Sequence, residues 1–211
     1  MKPIYTFLLT LVVLITLIQL ELPNIYLYLA MFIILILAIL ANLYPLYFSN
    51  NVLTIEKSIL NKKRNALFNF YYVYANQIDD EIEEATERVL KKYQRPHIYA
   101  LIQVIFALYN KDIIAAKKYV DHIKPLNYRK YYKGLISVVD NHVDLANELA
   151  NEIKIEWMKY ALFAEIERKH GNDEGAIKYA KLSYSSARGL NKYMIYKYGI
   201  REGLLHSDNV A

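Results

Sequence analysis

Five histidines, His97, His122, His142, His170 and His206, are the first residues to weigh for chemistry. No two of them stand at the i, i+4 spacing that presents two metal ligands on one helix face. Glu167 and His170 form one Glu-x-x-His, but a di-iron bundle needs a second such motif and two further carboxylates on facing helices, and no second copy exists. His170 reads instead as a cation near a helix end, where the dipole welcomes it. "GNDEG" (171–175) lacks the lysine and the preceding strand of a phosphate-binding loop, and no serine elbow is present. The acidic run from Asp79 to Glu87 reads as a solvated helix face. The sequence therefore predicts no catalytic residue, no metal site and no cofactor, and a non-enzymatic role.

The elements that carry these residues follow from composition. The chain has 211 residues, no cysteine, six glycines, five prolines and 21 tyrosines. Without cysteine, disulfides, thiol catalysis and thiolate metal sites are excluded. With 26 basic and 21 acidic residues interspersed, the net charge of +5 is too mild to imply nucleic acid. Strand-type alternation is scarce, so the expectation is all-α. The abundance of Ile, Asn, Lys and Tyr points to an AT-rich bacterial coding sequence.

No charged residue lies between Glu21 and Glu56. Residues 4–20 and 25–43 are nearly continuous apolar runs, each able to cover most of a hydrocarbon core of about 30 Å. "ELPN" between them reads as a tight turn, so the two runs are expected to form a transmembrane hairpin over residues 1–48. Lys2 precedes the first span, and Lys57, Lys62, Lys63 and Arg64 follow the second, whereas the turn carries no basic residue. By the bias of basic residues toward the cytoplasm, both termini are expected there, in a two-span cell-membrane protein. The basic cluster also suits anionic lipid headgroups. Tyr44, Tyr47 and Phe48 stand where an aromatic belt belongs, and Thr6, Thr10, Thr16 and Gln19 could help the spans pack. No ionisable group lies within either span, which argues against an ion relay.

Beyond residue 49 the chain reads as helices over 55–77, 79–93, 96–109, 112–124, 127–139, 143–154, 156–169, 173–187 and 190–204, ending in a flexible tail, 206–211. The helices repeat. Ala116, Ala146 and Ala176 are spaced by 30 residues; Val104, Gly134 and Ala164 precede them by twelve, and Val120, Ala150 and Ala180 follow by four. Lys111, Asn141 and Gly171 mark the turns five residues before each alanine, and Val73, Ala85 and Val89 fit an earlier copy. Small residues at these places let paired helices approach closely. The final helix, with Met194, Ile195, Tyr198 and Leu204 among Lys192, Lys197, Arg201 and Glu202, is expected to cap the array, charged side outward.

This pattern resembles a tetratricopeptide repeat. In the best copy, 157–187, Ala164 matches the small position of the first helix, Gly171 the turn, Ala176 and Ile177 the following pair, and Tyr160 and Phe163 the large positions. The repeat is about one helical turn shorter than the family's, Ala180 and Ala150 stand where an aromatic is usual, and the closing proline is absent. A generic α-solenoid or a plain helical bundle fits the same residues. The resemblance implies an α-solenoid of helical hairpins over 49–205, with a concave groove lined by Ile98, Leu101, Ile105, Tyr128, Tyr131 and Leu135; the other reading is that these side chains are core. Such a groove would take an apolar or amphipathic segment of a protein or peptide partner. The expected function is a membrane-anchored scaffold docking that partner beside the bilayer. The alternatives are an accessory subunit that contacts another membrane protein through its spans, and a membrane-bound enzyme. Homo-oligomerisation is left open.

Overall fold

The computed structural model describes residues 23–206 together with Val12, Ile15, Thr16 and Gln19. Most of the expected first span, Lys2, and the tail beyond His206 lie outside the described residues. Among the described residues the secondary structure is eleven helices and no strand. The chain divides into two compact units, residues 1–45 and 46–211.

In the first unit the dominant element is α1, Asn24–Tyr47, which runs on through Pro45 into the start of the second unit. Its 24 residues rise about 36 Å at 1.5 Å each, more than the hydrocarbon core of a bilayer. Its mean hydropathy reaches 2.5 over an 18-residue window, none of which is buried within the protein. It is thus one N-terminal helix long and apolar enough to cross a membrane. Thr16, in the preceding segment, returns its hydroxyl to the carbonyl of Val12 at 2.9 Å, so its polarity is satisfied within its own turn.

The second unit contains α2 (Val52–Leu60), α3 (Ala66–Asn76), α4 (Asp79–Lys92), α5 (Pro96–Tyr109), α6 (Ile113–Val120), α7 (Leu126–Val139), α8 (Val143–Glu152), α9 (Glu156–Lys169), α10 (Asp173–Ser186) and α11 (Gly189–Arg201). The single helix expected over 55–77 is two. The first stops at Leu60, and Asn65, the last residue of "NKKRN", turns extended and accepts the Leu67 amide on its side chain at 3.0 Å as a new N-cap.

From α3 onward, helices joined by short turns pack in pairs, α3 on α4, α5 on α6, α7 on α8 and α9 on α10. The turns are built alike. Gln77, Lys111, Asn141 and Gly171 all take positive φ, between 49° and 74°. In each turn the next residue's amide reaches back to the carbonyl five residues earlier: Ile78 to Val73, Asp112 to Ala107, His142 to Ser137 and Asn172 to Glu167, at 2.8–3.1 Å. This is the Schellman closure, which satisfies the last helical carbonyls. Asp112 and Asn172 then cap the following helix through their side chains.

The turns are spaced 34, 30 and 30 residues, and that corrects the register of the earliest copy. The positions equivalent to Val104, Ala116 and Val120 are Phe70, Ile82 and Thr86, not Val73, Ala85 and Val89. All six are buried, because that pair presents two adjacent stripes to the interior. The alanines Ala116, Ala146 and Ala176 are fully buried; Ala176 shares a cluster with Ala164, and Ala116 shares one with Val104.

The last helix is not an outward-charged cap. It packs on α10 and also on α2 and α3, so the end of the array meets its start. Tyr193 is fully buried among Leu46, Val52, Ile55, Ile59 and Ala75, donates to Glu56 at 3.1 Å and accepts from Asn76 at 2.7 Å. Two of its cations, Lys192 and Lys197, turn inward with it, while Arg201 and Glu202 stay exposed. Lys192 donates to the Tyr184 carbonyl at 2.7 Å, Lys197 pairs with Glu56 at 2.8 Å, and Arg201 reaches the Ala75 carbonyl at 3.4 Å. At the entry to α11, Gly189 has φ of +54° and its amide bonds the Ser49 carbonyl at 2.9 Å; an added Cβ would stand 2.2 Å from the Leu46 carbonyl oxygen. Only glycine fits that backbone-on-backbone approach.

Candidate functional site

The turn register aligns one stripe of the first helices of all four pairs: Tyr71 on α3, Ile105 on α5, Leu135 on α7 and Glu165 on α9. Of the six groove residues expected from sequence, Ile105 is core, 3 % exposed, while Ile98, Leu101 and Leu135 are half-buried and pack against the core clusters. Tyr128 and Tyr131 are half-buried too, and both rings stand edge-on to Trp157 of the next pair, at 6.4 and 5.7 Å. These tyrosines therefore serve the seam between α7 and α9 as well as the surface beside it, an arrangement that stabilises aromatic contacts beyond simple burial.

The aromatic face extends well past those six residues. Tyr131 and Tyr132 make an edge contact at 5.2 Å. Tyr71 and Tyr74 on α3 flank Phe70, and Tyr74 meets Tyr109 of α5 at 5.6 Å. Tyr109 itself is hydrogen-bonded to Asp79, and burial, aided by that carboxylate, raises its pKa to about 12. Burial pushes Tyr71, Tyr74, Tyr131 and Tyr132 up as well. Their charges would be felt mutually: Tyr132 responds to Tyr131, Tyr71 and Tyr74, Tyr71 responds to Tyr128, and Tyr74 and Tyr131 both respond to Glu165. Tyr71 and Tyr74 of α3 and Tyr132 of α7 pack against one core cluster.

The Glu165 carboxylate anchors a polar end. Glu165 accepts from the Tyr198 hydroxyl at 2.6 Å and from Arg168 at 2.8 Å, and Arg168 and Arg201 both approach Glu202, at 3.7 and 3.5 Å. Burial, then Glu165, holds the Tyr198 phenol protonated far into alkali. Tyr71, Tyr74, Tyr132 and Glu165 were not singled out in the sequence, and Tyr198 and Arg201 were read there only as parts of a terminal cap. The register slip of four residues between the first two turns hid the equivalence of Tyr71 with Ile105, and Tyr198 and Arg201 join only because α11 folds back.

Chemically, this face offers ring surfaces, hydroxyls and an ion-pair cluster at one end, a combination suited to recognition. Among the described residues no three His, Asp or Glu side chains stand together to hold a metal. Glu167 of the Glu-x-x-His instead accepts from the Asn172 amide at 2.6 Å, bracing its turn, and His170 is an exposed C-cap. The basic cluster is divided: Lys57 and Arg64 are exposed, whereas Lys62 and Lys63 are half-buried, Lys63 lying over the Tyr72 ring at 4.3 Å. Helix α10 carries an apolar depression lined by Ile177, Leu182, Lys178 and Lys181. No protein-family model matches the chain, and no curated protein or solved structure matches it.

Proposed function

We propose that this protein is a membrane-anchored helical scaffold, built like a tetratricopeptide-repeat solenoid, that docks a protein or peptide segment beside the bilayer. The observation that carries the reading is the pairing of an unburied 24-residue apolar helix with helix pairs joined by four alike turns, whose first helices bring a band of tyrosines together. Two spans with cytoplasmic termini complete the proposal, on the distribution of basic residues. Anchoring raises the effective concentration of a membrane partner without adding contacts. Tyrosine suits the docking face because it buries a large area with little rotamer loss and keeps a polar tip. The expected occupant is an amphipathic segment, its apolar side on the rings and its polar end toward Glu165, Arg168 and Arg201.

The test uses the full chain, purified from solubilised membranes with whatever it holds. Replacing Tyr128 and Tyr131 together by Ala should weaken partner retention by more than about 2 kcal/mol, the range of interface anchors, with helical content by circular dichroism unchanged. Loss of helical content would make the pair structural. Full retention would favour a second reading, an accessory subunit, for which the largely exposed apolar surface of α1 speaks: the helix itself would then be the contact with another membrane protein.

A further inference from the structure

We infer that the outward face of α2 is a lipid-contacting surface, seated on anionic headgroups where the chain leaves the membrane. The inference rests on the membrane-anchored reading and deepens it. Helix α2 divides its residues cleanly. Val52, Ile55 and Ile59 are buried in the core, at 1 % exposure or less. Glu56, its sole acid, is half-buried and neutralised by Lys197 at 2.8 Å, with Tyr193 donating to the same oxygen at 3.1 Å. The opposite side carries Leu53, Lys57 and Leu60 at the i, i+4, i+7 spacing of one helix face, with Leu53 63 % and Leu60 42 % exposed and Lys57 exposed between them. Exposed Arg64 follows in the turn.

Two exposed leucines around a lysine are a poor surface for water but a good one for an interface, where apolar side chains enter the headgroup boundary and cations meet lipid phosphate. The occupant follows from covalent reach. Only residues 48–51 separate the end of α1 from the start of α2, a stretch of at most about 14 Å. That stretch begins with Phe48, 62 % exposed, after Tyr47, 58 % exposed, aromatic side chains of the kind enriched at membrane interfaces. A helix tied this closely to a span, with no uncompensated acid and its exposed leucines flanking a cation, has the bilayer surface as its nearest complementary partner.

The chain contains no cysteine, so a single introduced thiol can be labelled without background. Leu53→Cys, Leu60→Cys and, as a control, Ile114→Cys on α6 (85 % exposed) carry an environment-sensitive fluorophore in the full chain reconstituted into phosphatidylglycerol-containing vesicles. Lipid-borne nitroxide should remove most of the emission at 53 and 60 and little at 114. The quenching should fall away in purely zwitterionic vesicles, or when Lys57→Gln and Arg64→Gln are combined. Probes at 53 and 60 that stay as unquenched as 114, in vesicles from which alkaline carbonate does not extract the chain, would overturn this inference alone. Quenching that is indifferent to lipid charge would overturn its assignment to anionic headgroups. Extraction of the chain by carbonate would overturn the anchored reading and this inference with it.

Discussion

Lys111, Asn141 and Gly171 hold the same place in three turns, and only the last is the residue such a place favours. A left-handed backbone costs an L-residue about 1–2 kcal/mol, somewhat less for asparagine. Lys111 is exposed at φ 58°, so Lys111→Gly should stabilise the second unit by about 0.5–1 kcal/mol, read as a higher thermal midpoint of the full chain in detergent. Ala176 sits at the other extreme. It is fully buried against Ala164, Ala180 and Leu205, and a leucine there must displace its neighbours. Ala176→Leu should cost about 1–3 kcal/mol in chemical denaturation; an unchanged midpoint would mean the pair interface is looser than the buried alanines imply.

Among the helices, α11 carries the most consequence, because it ties α10 to α2 and α3. Tyr193 shows how. Its hydroxyl donates to Glu56 and accepts from Asn76 inside a closed apolar cluster. Tyr193→Phe keeps the ring but removes both hydrogen bonds, leaving Glu56 to Lys197 and Asn76 to the Tyr72 carbonyl, and should destabilise the protein by about 0.5–1.5 kcal/mol, whereas Tyr196→Phe, on a half-buried residue of the same helix, should cost less. The helical pairs from α5 to α10 were legible in sequence to within a few residues. There the 30-residue recurrence of small residues and the turn-forming Asn141 and Gly171 all point one way. The break inside 55–77 was not legible, because "NKKRN" has good helix formers around a cap whose effect depends on one asparagine rotamer. The inward turn of Lys192 and Lys197 was hidden for a different reason. Charge on a terminal helix reads as solvation, and only a long-range partner such as Glu56 reverses that reading. The tyrosine face was half legible: Tyr128 and Tyr131 came with the resemblance to a tetratricopeptide repeat, whereas Tyr71 was hidden by the register slip and Tyr198 joins only because α11 folds back.

At the scale of the whole molecule, the tyrosines set the response to alkali. Tyr71, Tyr74, Tyr131, Tyr132 and Tyr198 are held neutral by burial above the ordinary phenol value. Below about pH 10 a phenol is neutral in both folded and unfolded chains, and the stabilisation is complete. As pH rises further, the unfolded chain releases protons that the folded one retains, so stability falls. A spectroscopic titration of the full chain should show a group of tyrosines ionising only above the ordinary phenol range, together with loss of helical signal. A single smooth titration with the helices intact would mean that packing between the helix pairs does not hold these phenols neutral.

The account stands most directly on where the protein resides and which face it uses. A photocrosslinking residue in place of Leu135, beside the tyrosines, or of Lys181, exposed on α10, can be placed in the full chain in cells, and the membranes then washed with alkaline carbonate. The account predicts that both variants remain in the washed membranes and that Leu135, not Lys181, yields a discrete crosslinked protein, lost when Tyr128 and Tyr131 are both replaced by Ala. Release of the chain into the carbonate wash, or a silent Leu135 alongside crosslinks from positions on α1, would contradict it.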